Sequence, residues 1–448
     1  MDEAAFGTLR AGFGVREITP PIGVPNSLGV TCMVEEIWDP LLAVALVLED
    51  DDTRAVIVGL DLCGLAEQLH TRIRNAVARA VDCDPDAVVL NVSHTHSAPY
   101  ISTELDHLIR PFGLRNTDDA YVVQLERAVV EAARKAALVP LAVRVGHGRA
   151  PVERVGANRR PKRADGTTIH RPGRPPDQAD RDLPEGLIDP DVAVLSFVDD
   201  GGPAGCIFSY SCHPTAAGGD LHGWVSADFV GPARERIQPR VSDMPALFLQ
   251  GCGGNVGTGK YVASTPREDV AAMGARLGSS AVRALEAATA SPAALGPLQV
   301  IRSSVELEFD PFPTLGEMLR QIATAATSDL GDVSRAGEAF VVAGRAEAFA
   351  WAAVTVIAFG DVAIVALPGE VFVEHGIRIR ESSPFPVTVV TAYNDNSLQY
   401  IPTASAFPEG AYEVDGGWRY IRPGMGERLA DHAIAVLSDA WADPAGGR

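Results

Sequence analysis

The sequence predicts an α/β protein in which mixed sheets are flanked by helices. Two observations predict it: short β-branched apolar runs and amphipathic stretches of helical period between them. LAVALVLE (42–49), AVIVGLDL (55–62) and AVVLNV (87–92) read as buried strands. Residues 67–81 carry apolar positions at helical spacing between the last two runs, so strand, helix and strand make a parallel pair. A second amphipathic helix is predicted over 119–137. Further helices are predicted over 228–238, 268–288, 314–327, 370–381 and 425–440, and further strands over 141–147, 192–198, 204–210, 245–250, 353–359, 362–367 and 386–392. Segment 156–189 has no apolar period and concentrates Arg, Pro, Gly and Asp, so it reads as a long surface loop of the kind that serves as a lid. No internal repeat and no composition break is visible. Residues 1–448 therefore read as one domain, with a small appended layer around 300–350.

Composition narrows the class of function. With 46% hydrophobic and 21% charged residues over 448 positions, the chain can bury a large core without disulfides. A net charge of −20 argues against nucleic acid and anionic membranes as partners, because phosphate binding wants a basic face. The opening MDEAAFGTLRAGFG lacks a basic stretch followed by an apolar one, and no apolar run reaches bilayer length. Cys32, Cys63, Cys83, Cys206, Cys212 and Cys252 form no CxxC pair and read as reduced thiols. The expectation is a cytoplasmic protein acting on a small-molecule substrate, without stable membrane association. A homo-oligomer is left open.

The residues able to do chemistry sit where predicted strands end. In NVSHTHSAPY (91–100), His94 and His96 follow a buried strand, at the sheet edge where α/β proteins bind ligands. Imidazoles at i and i+2 on extended backbone would turn to one side and face one ion or one substrate. The competing reading is a polar loop. GCIFSYSCHPTAAGGD repeats the design: an apolar strand delivers His213, and Gly218 and Gly219 permit a tight turn after it. VAIVALPGEVF (362–372) ends a third apolar strand in Glu370, which would open the helix at 370–381. There it would serve as a helix-end carboxylate or a metal ligand. TAYNDNSLQYIPTASAFPEGAYEVDGGW (391–418) is loop-like and holds Tyr393, Tyr400 and Tyr412. Two histidines and a carboxylate with an open position are the usual catalytic zinc set, whereas structural zinc favours closure by cysteine. Spacing alone shows only that such a site can be built.

Taken together these segments resemble the neutral ceramidase family, specifically its amino-terminal catalytic region. GFGVREITPP resembles the family's first strand and turn, NVSHTHSAP its NV..THTHSGP signature, CHPT its second histidine segment and LPGE its carboxylate segment. Tyr400 and Tyr412 match a family tyrosine pair at the same interval, and ANRR (157–160) resembles an Asn-Arg-Ser element. The likeness covers nearly the whole chain and is weakest over 260–350. It implies a neutral-ceramidase-like fold, Zn2+ held by His94, His213, Glu370 and Tyr400, a pocket lined by His96, Arg159 and Tyr412, and amide hydrolysis. Two departures matter. In LQGCGGN (249–255), Gly251 stands where the family places a serine. No counterpart of the family's carboxyl-terminal β-sandwich is expected, so ceramide itself is not the expected substrate.

The mechanism expected is amide or ester hydrolysis by metal-activated water without a serine nucleophile. His96 handles protons, Tyr400 or Tyr412 stabilises the oxyanion, and the turn of Gly251, Cys252, Gly253 and Asn255 lies against substrate, its N–H groups able to bind an anion. Cys252 is not read as a nucleophile. Asp61, at another strand end, is either an outer partner of a histidine or structural. Arg159, Arg160, Lys162, Arg163, Arg171 and Arg174 read mainly as solvated surface, with reach to a carboxylate or phosphate as the alternative. Two other functions fit the same residues: a zinc lyase or isomerase with His96 as base, and a non-catalytic binding protein with a vestigial site.

Overall fold

A computed structural model of the chain describes residues 8–27, 30, 32–218, 222–240, 245–326, 330–345, 349–394 and 398–443. Gly219 and position 327 of the sequence expectations lie outside the described residues. Among the described residues, twelve longer strands fall into three sheets of one design. The first holds β1 (Arg10–Glu17), β2 (Leu42–Glu49), β3 (Arg54–Leu60) and β4 (Val88–Val92). The second holds β5 (Arg144–Pro151), β6 (Asp191–Asp199), β7 (Gly202–Tyr210) and β8 (Ala246–Gln250). The third holds β9 (Leu298–Glu308), β10 (Phe349–Phe359), β11 (Val362–Ala366) and β12 (Val387–Thr391). In each sheet the first three strands pair antiparallel and the fourth lies parallel to the third.

A parallel pair needs a crossover, and each sheet supplies one as a helix. These are α1 (Glu67–Val81), α3 (Val230–Ile237) and α7 (Val373–Ser382). A longer helix after each fourth strand returns to pack on the first strand of its own sheet: α2 (Asp119–Ala137), α4 (Pro266–Ala290) and α8 (Met425–Ala442). In two sheets the helix comes so close that a side chain would not fit. A Cβ at Gly12 or Gly14 of β1 would strike the carbonyls of Ala136 and Ala132, and one at Gly146 or Gly148 of β5 those of Ala288 and Ala284. The repeat not visible in the sequence is therefore a repeat of topology. Its one matching signature is the Gly-x-Gly of β1 and β5, and β9 lacks it.

Strand alternation explains why these runs are apolar on both faces. Along β2, Ala43, Ala45 and Val47 face the helix side, while Val44, Leu46 and Leu48 enter a second core shared with Leu195, Phe197, Leu247, Ile357, Phe359 and Ile364 of the other two sheets. The fourth strands meet at their ends. Asn91 after β4's midpoint donates to the Ala392 carbonyl (2.6 Å) and accepts from the Gln250 N–H (2.7 Å), while the Ala392 N–H donates to the Gln250 carbonyl (3.0 Å).

Three sequence expectations change. Residues 300–350 are not a separate layer: β9 and β10 are full members of the third sheet, and only the helical pair α5 (Leu315–Ala325) and α6 (Leu330–Arg345) is inserted between them. The helix predicted from 370 starts at Val373; Glu370–Val371 instead pairs in parallel with Tyr400–Ile401. Segment 156–189 is wired down rather than free. Ala157–Asn158 pairs with Val256–Gly257, and Arg171, 1% exposed, donates to the carbonyls of Asn158, Leu183 and Pro184. All six cysteines are free thiols. Among the described residues no helix is long and apolar enough to cross a membrane.

Candidate metal and substrate site

Each of three candidate ligands leaves a different sheet. His94 follows β4 with φ +61, a left-handed conformation uncommon outside glycine. Its neighbourhood enforces that turn: the Ser93 and His94 N–H groups donate to Leu60 and Leu62, and Nδ1 donates to the Cys63 carbonyl at 2.6 Å. His213 follows β7, fully buried, with Nδ1 donating to the Gly253 carbonyl at 2.6 Å. Glu370 follows β11. Parallel register places it beside Tyr400, and its N–H donates to the Gln399 carbonyl at 2.7 Å.

These three side chains converge. Oε2 of Glu370 lies 2.9 Å from Nε2 of His213 and 3.5 Å from Nε2 of His94. His96 joins them, with its ring 5.0 Å from that of His94, and one nitrogen from each of the three imidazoles falls within 4.8 Å of the others. The route differs from the one expected. The left-handed His94 breaks the extended backbone, and the two rings are brought together edge to face at 85°.

Burial holds the imidazole of His94 down at about 3 against the pull of Glu370, and burial and then Arg159 hold His213 well below its ordinary range. Both rings are therefore neutral at pH 7. A carbonyl only accepts, so each Nδ1 carries the ring proton and each Nε2 presents a bare lone pair. That lone pair faces a carboxylate oxygen, which is also an acceptor. Two acceptors at 2.9 Å repel unless a cation lies between them. Two imidazoles and a carboxylate with their outer nitrogens tied to carbonyls are a donor set that fits Zn2+.

A second cluster borders this one. Arg159, 6% exposed, donates from Nη2 to the Tyr400 hydroxyl (2.6 Å) and the Gly254 carbonyl (2.8 Å), and its guanidinium lies 5.1 Å from the Tyr400 ring centre. Tyr412 packs 6.0 Å from Tyr400 and 4.5 Å from His170, ring centre to ring centre. Of three further participants, the sequence singled out Tyr393 without giving it a place, and His170 and Glu413 were missed. Tyr393, at φ +61, stacks 4.7 Å from His94 with its hydroxyl 3.3 Å from Nδ1 of His213. His170 and Glu413 complete the cluster, Glu413 fully buried beneath Arg159. The available signal for Glu413 was charge complementarity between the Arg-rich segment and the acidic 409–415 stretch.

The glycine turn serves a different purpose from the one expected. The N–H groups of Gly251 and Gly254 already donate to the Tyr210 and Val371 carbonyls, so they are not free for an oxyanion. A side chain at Gly251 would strike the Ser211 hydroxyl, and one at Gly254 would strike the Glu370 backbone. Gly253 supplies the carbonyl that fixes His213. Cys252 is buried against Gly376 of α7, and burial pushes its thiol far up, so its side chain is not presented to a substrate. Asn255 ties the turn to α7 by accepting from the Val373 N–H (2.9 Å) and donating to Glu374 (2.8 Å), and its carbonyl accepts from the Arg159 N–H. Asp61 touches no histidine: both its oxygens take Arg234 at 2.9 Å. Of the other cations singled out in 156–189, Arg160 pairs with Glu413 and Arg174 with Asp269, while Lys162 and Arg163 stay exposed as expected and pair with Glu409 and Asp180 at the surface.

Among solved structures, the chain superposes on the crystal structure of a neutral ceramidase from Pseudomonas aeruginosa with a TM-score of 0.74 at 18% identity, covering 99% of this chain and 76% of that one. It superposes on a ceramidase complexed with C2 with a TM-score of 0.72 at 18% identity, covering 98% and 76%. The fold is neutral-ceramidase-like. No family model and no curated protein matches the sequence.

Proposed function

We propose that the protein is a zinc-dependent hydrolase that cleaves an amide bond, or an ester, in a small molecule. One observation carries the reading: Nε2 of His213 and Nε2 of His94 lie 2.9 and 3.5 Å from one Glu370 carboxylate oxygen while each Nδ1 is tied to a carbonyl, which is a site shaped for a cation. The ceramidase-like fold supports amide hydrolysis as the reaction class. His94, His213 and Glu370 hold the ion, and Tyr400, beside Glu370 in register, supplies the fourth donor. When bound, zinc supplies Lewis acidity, lowering the pKa of water toward about 7 and polarising a carbonyl.

His96, half-buried beside the two ligand imidazoles, accepts the proton of the attacking water and returns it to the leaving nitrogen. Tyr412 donates to the developing oxyanion, with Arg159 keeping positive charge nearby; one such donor is worth roughly 3 kcal/mol. Water adds across the bond to give an acid and an amine, and no acyl-enzyme forms. Gly251 offers no hydroxyl for one. The test is metal analysis with turnover of N-acyl amides. Wild type should hold stoichiometric zinc, and His94→Ala and His213→Ala should lose both metal and activity. Unchanged zinc in both variants refutes the reading, as does an acyl-protein adduct trapped in a single turnover.

A further inference from the structure

Glu413 is a buried carboxylate whose basic neighbours all come from one distant segment. Its Oε1 accepts from Arg159 Nε at 2.7 Å and lies 3.4 Å from Nδ1 of His170, and its Oε2 accepts from Arg160 Nη1 at 2.9 Å. Burial by itself would raise this carboxyl, but Arg159, His170 and Arg160 override it and hold Glu413 down at about 2. A charge removed from water costs several kcal/mol unless it is paired, so a fully buried group with this many partners is placed by its chemistry. A guanidinium is planar. Once Nε is fixed on Glu413, the plane is fixed, and Nη2 reaches both the Gly254 carbonyl and the Tyr400 hydroxyl. Arg159 would otherwise be a buried cation beside a site that itself attracts a cation, and Glu413 offsets that repulsion.

We propose that Glu413 is a positioning residue. It orients Arg159 onto the Tyr400 phenol and, through Arg160 and His170, fastens the 157–174 segment over that pair. This rests on the hydrolase reading only for its catalytic consequence; the chain from Glu413 through Arg159 to Tyr400 stands on contacts alone.

The test uses the full chain labelled with 3-fluorotyrosine. The eight tyrosines give separate fluorine resonances, and Tyr400→Phe assigns one of them. Glu413→Gln keeps the shape but loses the charge and one acceptor. It should move the Tyr400 resonance in the same direction as Arg159→Lys, and the double variant should move it no further. If Glu413→Gln does not fold, Glu413→Asp keeps the charge with a shorter reach and should give a smaller shift of the same sign. A Tyr400 resonance at its wild-type position in the folded Glu413 variant overturns the proposal. In turnover of N-acyl amides, Glu413→Gln should lower kcat between about tenfold and a hundredfold with KM little changed and zinc retained. A moved resonance in a protein without amide turnover removes the hydrolase reading and leaves the positioning role. Turnover with an unmoved resonance does the reverse.

Discussion

Gly254→Ala is a small change aimed at the most crowded point beside the site. The added Cβ would lie 2.8 Å from the Glu370 carbonyl carbon and 3.0 Å from that of Val371, with the Glu370 oxygen closer still. All three are backbone atoms, so no side chain can swing away to make room. Overpacking of this kind costs about 1–3 kcal/mol. Separating the strands also strains the Gly254 N–H to Val371 bond, 2.9 Å long, for about 1 kcal/mol more. The sum is roughly 2–4 kcal/mol, and the displaced element is the one that carries Glu370. Zinc affinity should fall roughly 10–100-fold, as it does when outer supports of a metal site are removed. Urea unfolding of the zinc-free protein measures the first quantity, and competition with a chromophoric chelator measures the second. An unfolding midpoint and a zinc affinity both equal to wild type would show that the turn does not hold Glu370 in place.

Asp61→Ala should destabilise the fold by about 3–5 kcal/mol, because it strands the buried Arg234, yet leave zinc content unchanged; loss of zinc in the folded variant would place Asp61 in the metal site. Glu338, on α6, gives a pH dependence. Burial raises its carboxyl to about 7, and the hydroxyls of Ser102 and Tyr100 offset this only in part. A carboxyl raised on folding stabilises below its unfolded value near 4.5 and loses that contribution as pH climbs through 7, a loss of about 3 kcal/mol. Glu338→Gln should therefore flatten thermal stability between pH 5 and 8 in roughly that range, and an unchanged slope would contradict the assignment.

Strands of continuous apolar residues were legible because both of their faces are buried, and α1 and α2 match their predicted spans residue for residue. β9 was not legible: Arg302, Ser303 and Ser304 interrupt its apolar pattern, and pairing along the length of β10 holds it regardless. α6 was not predicted, and its Gly331, Gly337 and Gly344 weaken the helical signal there. His94, His213 and Glu370 could be singled out because each follows an apolar run, but their shared meeting point depends on three sheets whose arrangement no local pattern encodes. The Arg-rich segment misled for the opposite reason. Its composition is that of a surface, which Lys162 and Arg163 remain, whereas Arg159 and Arg171 are buried and the distant acid Glu413 draws Arg159 and Arg160 inward. Glu370 shows how a local signal can be outweighed: it stands just ahead of a helix, yet strand pairing with Tyr400 sets its backbone.

Because His94, His213 and Glu370 each end a strand of a different sheet, the ion would sit where all three copies of the topology must already be complete. No fragment carrying one or two copies can retain it, so tight binding would act as a readout of finished folding. The linkage runs both ways. Free metal at a thousand times its dissociation constant adds about 4 kcal/mol to the native state, shared by the whole molecule, and a chelator should loosen its three thirds together.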